Sequence, residues 1–343
     1  MIFEYVMQTQ LLFAFSQQTS MPLLPELYFL NVRFYLLQAV LDSYSTEAEE
    51  INRLHIYFYC AAAFILLVVT VCTFFVLYKF KHKEGQEFKP KMLPAKWEIP
   101  MLGVPLALII VFFIMTLKTM NRILPSAEGK NPDVVITGHQ FWWEANYPAQ
   151  KVTTANEIHL PAGRPILLKL LSADVIHDWW VPSFGNKMDL VSGRENYLWL
   201  NIKKPGVYHG ACSEFCGAQH AHMQIIVIAQ NEADYNNWLQ QHAPKTTGIN
   251  DALALSGEKV FQEKTCGNCH NISGTAANGR AAPDLTHLAS RQTLLTGMLA
   301  NNKENLRRWI EDPQEIKPGA KMPKFTFDKQ SLDALTTYLA SLK

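Results

Sequence analysis

Between Ala211 and Gln224 the chain reads ACSEFCGAQHAHMQ, which gathers two cysteines, two histidines, a glutamate and a methionine between two apolar runs. Thiolate, thioether and imidazole donors in one loop suit copper, whereas magnesium and calcium want oxygen. Cys212 and Cys216, four apart in a turn, can both bridge a pair of metal ions, because a thiolate sulfur has more than one lone pair to give. His220 and Met223 complete a Cys-x3-Cys-x3-His-x2-Met spacing, which selects His220 over His222. A binuclear site wants one more imidazole. His177, in SADVIHDWWVPS, offers it from a loop between two strand-like runs.

A second cluster, CGNCH from Cys266 to His270, fits the pattern for covalent attachment of a c-type haem. The two thiols add to the haem vinyl groups and the adjacent His270 is placed to take an axial position on the iron. CxxC alone would also serve a redox or zinc pair, so the context decides. A helical stretch with Gly257 and Phe261 on one face precedes the motif, and KPGAKMPKF follows it. Met322 in that segment is the expected second axial ligand, and His/Met ligation raises the iron potential into the range of electron carriers. Met298, in TLLTGMLA, has the spacing of a packing residue.

These residues must be carried by something. At 343 residues the chain has room for two or three domains, and a net charge of +1 speaks against nucleic acid as a partner. Ile56–Tyr78 and Ile99–Leu117 contain no charged residue, and each is long enough to cross a hydrocarbon core of about 30 Å as a helix. The segment joining them, KFKHKEGQEFKPKMLPAK, is rich in lysine, whereas LDSYSTEAEEINR before the first span is mainly acidic. The hairpin connection is therefore expected on the cytoplasmic side and both termini outside, in a periplasm or its equivalent. Cys60 and Cys72 fall in the first span as small apolar side chains. Residues 1–50 are a segment of unclear role: Met1 to Phe15 is apolar but lacks the basic start of a signal peptide.

After Leu124 the pattern changes to short runs such as DVVITGHQFWWEA, RPILLKLLSA, ENYLWLNI and MQIIVIAQ, broken by Pro, Gly and Asn, which reads as a β-sandwich or barrel over 125–232. Residues 233–250 read as a polar linker. Beyond it the period is helical, with Ala254, Gly257 and Phe261 on one face and Leu332, Leu335, Leu339 and Leu342 on another. A helical domain of this size, 251–343, is marginal for a core of side chains alone, and a large buried cofactor would help it fold.

With these motifs together, the chain from about residue 50 onward resembles subunit II of the haem–copper cytochrome c oxidases in the caa3 arrangement, and 251–343 resembles a class I cytochrome c. The resemblance implies a two-helix transmembrane hairpin over 51–124, a cupredoxin-like all-β sandwich and a C-terminal all-α cytochrome c domain. It implies a CuA centre with Cys212 and Cys216 as bridging thiolates, His177 and His220 as terminal imidazoles, Met223 as a weak ligand and Glu214 binding through its backbone carbonyl. The Glu214 side chain would reach a magnesium or manganese ion at the boundary with subunit I, and the backbone at Pro283 would support His270. Asp174, Lys187, Asp189 and Arg194 fall where the family has its subunit interface, although each reads by itself as a solvated charge. Glu98 aligns with a carboxylate near a proton pathway, and reads equally as a carboxylate favouring a helix N-terminus. His139 and His159 read as strand or loop histidines with ordinary hydrogen bonds. The family motif GHQWYW stands here as GHQFWW, so that Phe141, followed by Trp142 and Trp143, replaces the tryptophan that takes electrons from a soluble cytochrome c in many members. That departure speaks against the external docking route.

The implied function is electron input to a terminal oxidase of the bacterial inner membrane. Electrons from a soluble cytochrome c or a quinol-oxidising complex would pass through haem c and CuA to the haem of subunit I, which holds the dioxygen-reducing site. No catalytic residue is expected in this chain. Subunit I and other oxidase subunits are the expected partners. A tethered electron-transfer adaptor without an oxidase and a CuA-type nitric oxide reductase subunit are the rival readings.

Overall fold

The first helix, α1 (Thr46–Lys79), begins five residues ahead of the boundary expected at 51 because Ser45 caps it: the Ser45 hydroxyl oxygen accepts from the Ala48 N–H at 2.9 Å. Ser45 Oγ also donates to the Phe184 carbonyl, and the Glu47 carboxylate accepts from the Asn201 N–H at 3.0 Å, so the first turn is part of the sandwich rather than of an N-terminal segment. A computed structural model describes residues 42–81, 94–127, 129–243 and 251–343. The Lys-rich connection between the spans, most of the N-terminal segment and residues 244–250 therefore lie outside the described residues.

The second helix, α2 (Glu98–Ile123), and α1 are each long and apolar enough to cross a membrane, and their apolar side chains face outward along their length. Such surfaces call for lipid. Both helices extend past the uncharged runs read from the sequence. Pro100 lies in the first turn of α2, where no intrahelical N–H is lost, and Pro105 lies inside it, as membrane helices tolerate. Arg122 near the end of α2 pairs with Glu50 of α1 at 3.0 Å.

Ten strands follow: β1 (Val134–His139), β2 (Trp142–Tyr147), β3 (Val152–Ala155), β4 (Glu157–Pro161), β5 (Ile166–Ser172), β6 (His177–Trp180), β7 (Lys187–Leu190), β8 (Asn196–Leu200), β9 (Gly206–Cys212) and β10 (Gln224–Gln230). They form two five-stranded sheets, ordered β3-β2-β1-β5-β8 and β4-β10-β9-β6-β7. Alternation of buried and half-buried residues, as in β1, sends Ile136, Trp143, Leu168, Trp179 and Ile225 into the core between the sheets. The runs after Leu124 thus form a sandwich rather than a barrel, the cupredoxin-like one that the resemblance implies. GHQFWW folds as the tip of the β1–β2 hairpin, with His139 paired to Trp142 and only Gln140 and Phe141 in the turn.

The expected linker is helical over its first half. Helix α3 (Glu232–Gln241) is capped by Asn231 and buries Tyr235, Trp238 and Leu239. Trp238 stacks on His159 at 4.0 Å and meets Tyr147 edge-on at 5.2 Å. The i, i+3, i+4 spacing of these three residues is an apolar stripe too short to stand out in a polar sequence.

In the C-terminal domain α4 (Ala252–Glu263) leads to the CGNCH turn. A two-stranded hairpin, β11 (Thr293–Leu294) and β12 (Leu299–Ala300), is followed by α5 (Lys303–Glu311), α6 (Pro313–Ile316) and α7 (Lys329–Ala340). Phe261, Leu335, Leu339 and Leu342 are buried as the helical period required. Helices α4 and α7 cross at Gly257, where a Cβ would sit 2.1 Å from the Ala334 carbonyl oxygen. Gly257→Ala should therefore lower the stability of this domain by about 1–3 kcal/mol through overpacking, against the gain of up to about 1 kcal/mol that alanine gives in an open helix. Thermal unfolding followed by the haem absorption band checks the sign.

Candidate metal centre and haem pocket

Strand β9 ends at Cys212 and β10 begins at Gln224, and the loop between them is closed by the Cys212 N–H bond to the Met223 carbonyl at 3.0 Å. Within it the two sulfurs lie 3.9 Å apart, Cys216 Sγ is 3.6 Å from His220 Nδ1 and 3.7 Å from Met223 Sδ, and Cys212 Sγ is 3.2 Å from the Glu214 carbonyl oxygen. A disulfide needs about 2.05 Å, so this is a dithiol pair, at a separation that two metal–thiolate bonds of about 2.3 Å can span. His177, fully buried at the start of β6, turns Nδ1 toward Cys212 Sγ at 3.9 Å. Its ring packs on Gly138, where a Cβ would come within 2.9 Å of His177 Cδ2. His222 turns its Nδ1 to Gln219 Oε1 at 2.7 Å, away from the sulfurs.

Asp174 is not the solvated charge its sequence suggested. Its carboxylate takes His177 Nε2 at 2.8 Å, the Gln140 and Val175 N–H groups at 2.8 Å each, and Lys321 Nζ at 3.2 Å. Burial works against ionisation, yet these donors hold Asp174 down at about 2. Burial likewise lowers the His177 pKa, but bonds to Cys212 and Asp174 outweigh it and the net shift is upward. The hydrogen bond between the sulfurs, with help from His177, lowers the Cys212 thiol well below the ordinary thiol range, which favours a thiolate there. Asp178, buried opposite Asp189 across the β6–β7 pair, is pushed up to about 7 by burial and then by that neighbour.

The donor set of two thiolates, two imidazoles, a thioether and a carbonyl fits the copper chemistry read from the loop. His139 differs from its ordinary reading: it stacks on Trp142 at 4.1 Å, its Nε2 has no hydrogen-bond partner among the described residues, and burial lowers its pKa to about 4. His159 bonds Gln230 Oε1 at 2.9 Å as expected.

In the C-terminal domain Cys266 and Cys269 flank a tight turn after α4, and His270 Nδ1 bonds the Pro283 carbonyl at 2.7 Å, leaving Nε2 free to bind a metal. Burial lowers the His270 pKa, which keeps the imidazole neutral as a ligand must be. These residues line a cavity of about 530 Å³, which Met322 enters from the opposite segment. Gln314 Nε2 holds that segment by donating to the Ala320 and Met322 carbonyls at 2.8 and 2.9 Å. Arg291 also lines the cavity, with its Nε unpaired among the described residues. Paired thiols, a free imidazole nitrogen, a thioether and an apolar cavity together fit a covalently held haem.

The cavity has a further wall. Gln140, Phe141 and Trp142, from the β1–β2 tip of the sandwich, line it alongside the haem motif. Trp143 lies behind them, fully buried between His177 and Trp179. Sequence reasoning missed this wall because it depends on how two domains meet. It named Asp174 only as an interface position or a solvated charge, although an acid three residues before a candidate ligand histidine is a recognisable supporting pattern. Glu98 stands exposed as the first residue of α2, away from both sites.

A membrane hairpin carrying a copper-loop sandwich and a haem domain defines a membrane-bound electron-transfer subunit. Residues 148–230 match the family described as cytochrome c oxidase subunit II, periplasmic domain, and residues 254–343 match the cytochrome c family. Cytochrome c oxidase subunit 2 of Alkalihalophilus pseudofirmus is 34% identical over 293 residues, covering 82% of this chain and 84% of that one. The subunits 2 of Bacillus sp. (strain PS3) and Bacillus subtilis (strain 168) are 32% and 30% identical, covering 77% and 80% of this chain and 80% and 83% of theirs. The chain belongs to the cytochrome c oxidase subunit 2 family, in the form fused to a C-terminal cytochrome c domain. It is thus a membrane subunit of a haem–copper oxidase with periplasmic domains, and its families imply CuA and haem c.

Asp174→Ala should free His177 and weaken copper binding by about 10- to 100-fold. Lys321→Ala, which removes an exposed partner of the same carboxylate, should leave it unchanged. Competition of the assembled oxidase with a copper chelator measures both.

Proposed function

We propose that this subunit is the electron input of its oxidase. Its C-terminal domain receives one electron from a donor, a soluble cytochrome c or a quinol-oxidising complex, and hands it to the dithiolate loop. The loop delivers it to the haem of subunit I, where dioxygen becomes water with coupled proton translocation. Haem c and the copper pair, when bound, supply the one-electron chemistry, and the chain positions them and sets their surroundings. Cys212 and Cys216 would hold the copper pair as its thiolate donors, with His177 and His220 as imidazole donors, Met223 as a weak thioether donor and Glu214 through its carbonyl. The Glu214 side chain, which is exposed, is directed to a magnesium or manganese ion shared with subunit I. Cys266 and Cys269 would hold the haem covalently, and His270 and Met322 would bind its iron. Glu98, at the membrane boundary, serves proton entry in the complex. The working units are the hairpin, the sandwich together with α3, and the haem domain from Asp251 onward, assembled with subunit I and further subunits in the bacterial inner membrane.

The observation that carries this reading is that Gln140 belongs to both sites: it lines the haem cavity while its Nε2 donates to the Cys216 carbonyl at 2.6 Å. One residue thus spans the gap between the haem pocket and the main chain of the dithiol loop at Cys216. Tethering also replaces a bimolecular encounter by an intramolecular one, with the gain in effective concentration that follows. With Phe141 and Trp142 facing the chain's own haem domain, an external cytochrome has no free path to the copper loop by that tip. Cys266→Ala together with Cys269→Ala in the intact oxidase should therefore abolish turnover with the natural donor while the CuA spectrum persists. Rapid reduction of CuA by that donor in the haem-less variant, at a rate near the unmodified one, would overturn the route.

A further inference from the structure

We propose that Lys317 is a positioning residue for electron transfer between the two sites, its ammonium holding the Phe141 main chain against the rim of the haem cavity. The proposal rests on the electron-input reading above. Lys317 is 4% exposed, and lysine is seldom buried without a countercharge. Its Nζ donates to the Phe141 carbonyl at 3.0 Å and to Thr296 Oγ1 at 3.2 Å, both neutral, and among the described residues it forms no ion pair. A methionine of similar length would fill the space without desolvating a charge. Packing alone therefore does not account for the ammonium, and its partners indicate its task.

On one side of Lys317 stands Phe141, whose neighbour Gln140 bonds the Cys216 carbonyl at 2.6 Å. On the other side Thr296 passes a hydrogen bond to the His222 carbonyl, within the same metal loop. Lys317 itself opens the segment that ends at Met322, and the next residue's carbonyl, that of Pro318, accepts from Gln219 Nε2 at 2.6 Å. The Met322 segment and the Cys216 loop are thereby joined by a buried amine beside the Gln219 amide. A separate anchor holds the domains together elsewhere: the buried Glu157 carboxylate accepts from the Gln292 and Thr293 N–H groups and from Thr293 Oγ1, at 2.7 to 3.0 Å. Loss of Lys317 should consequently loosen the contact that faces the redox sites without releasing the domain.

The test uses Lys317→Met in the assembled, cofactor-loaded oxidase. Two quantities are read: electron equilibration between haem c and CuA after flash photoreduction, and the magnetic dipolar coupling of the oxidised centres by pulsed electron paramagnetic resonance. Expected are equilibration slower by on the order of tenfold, since small misplacements of reacting partners carry large rate penalties, and a broadened distance distribution, with the Met–iron absorption band and the CuA spectrum retained. An unmodified rate and distribution would overturn the proposal, and so would loss of the Met–iron band in step with the slowing, which marks a purely structural role. Thr296→Val keeps the ammonium and removes the hydroxyl it binds, so it carries the same test should K317M not assemble. There too an unchanged rate and distribution count against the proposal. The dipolar distance is measured without turnover, so a broadened distribution beside a haem-less variant that still reduces CuA rapidly would leave Lys317 positioning the domain while the route itself fails.

Discussion

The carboxylate of Asp174 is where the geometry of both sites meets. It orients His177, fixes the β1–β2 tip through the Gln140 N–H, and reaches Lys321 of the haem domain. A single acceptor can do this because an ionised carboxylate has several lone-pair sites, and bonds to a charged acceptor are the strong ones. Once the tip is set, Gln140 and Phe141 have little freedom left, since only two residues turn the hairpin and the strands behind them carry Trp143 and Trp179 into a close-packed core. The wall shared by the haem cavity and the metal loop is therefore held from the sandwich side.

This placement bears on the aromatic departure. A tryptophan at position 141 would suit a surface to which a separate protein docks and leaves. Phe141 is instead 8% exposed and lines the cavity of a domain on the same chain. Its carbonyl, not its ring, makes the polar contact, to Lys317. An indole would bring an N–H donor needing a partner in a wall that offers mainly apolar neighbours, so the smaller hydrocarbon ring is the more economical choice there.

What the sequence made legible was local. Two motifs gave the metal loop and the haem attachment because their donor atoms lie within a dozen residues of each other, and uncharged length gave the membrane helices. Period gave the fold classes on either side. The misses all depend on contacts between distant parts of the chain. Helix α3 was taken for linker because its stripe of Tyr235, Trp238 and Leu239 acquires meaning only against Tyr147 and His159. The sequence shows Asp174 as a solvated or interface charge and does not single out Lys317 for the same reason: a charge reads as solvated until the fold surrounds it. Met322, by contrast, could be singled out because Pro-flanked loops are unusual places for packing methionines.

The two ends of the sandwich are attached in different ways, and the difference suits an electron relay. At the membrane side α1 runs about 51 Å, at 1.5 Å per residue, well beyond a hydrocarbon core of about 30 Å. Its excess carries Ser45 and Glu47 directly into hydrogen bonds with Phe184 and Asn201 of the sandwich, while Glu50 pairs with Arg122 of α2. Helix and sandwich are thus one continuous body, which keeps the metal loop at a fixed place relative to the membrane and to whatever subunit the hairpin packs against. The haem domain is instead seated by side-chain contacts, Glu157 on one flank and Lys317 and Gln219 on the other. Contacts of this kind fix distance without covalent rigidity. The acceptor side of the relay is built into the anchor, and the donor side is held by groups whose strength can be set one residue at a time.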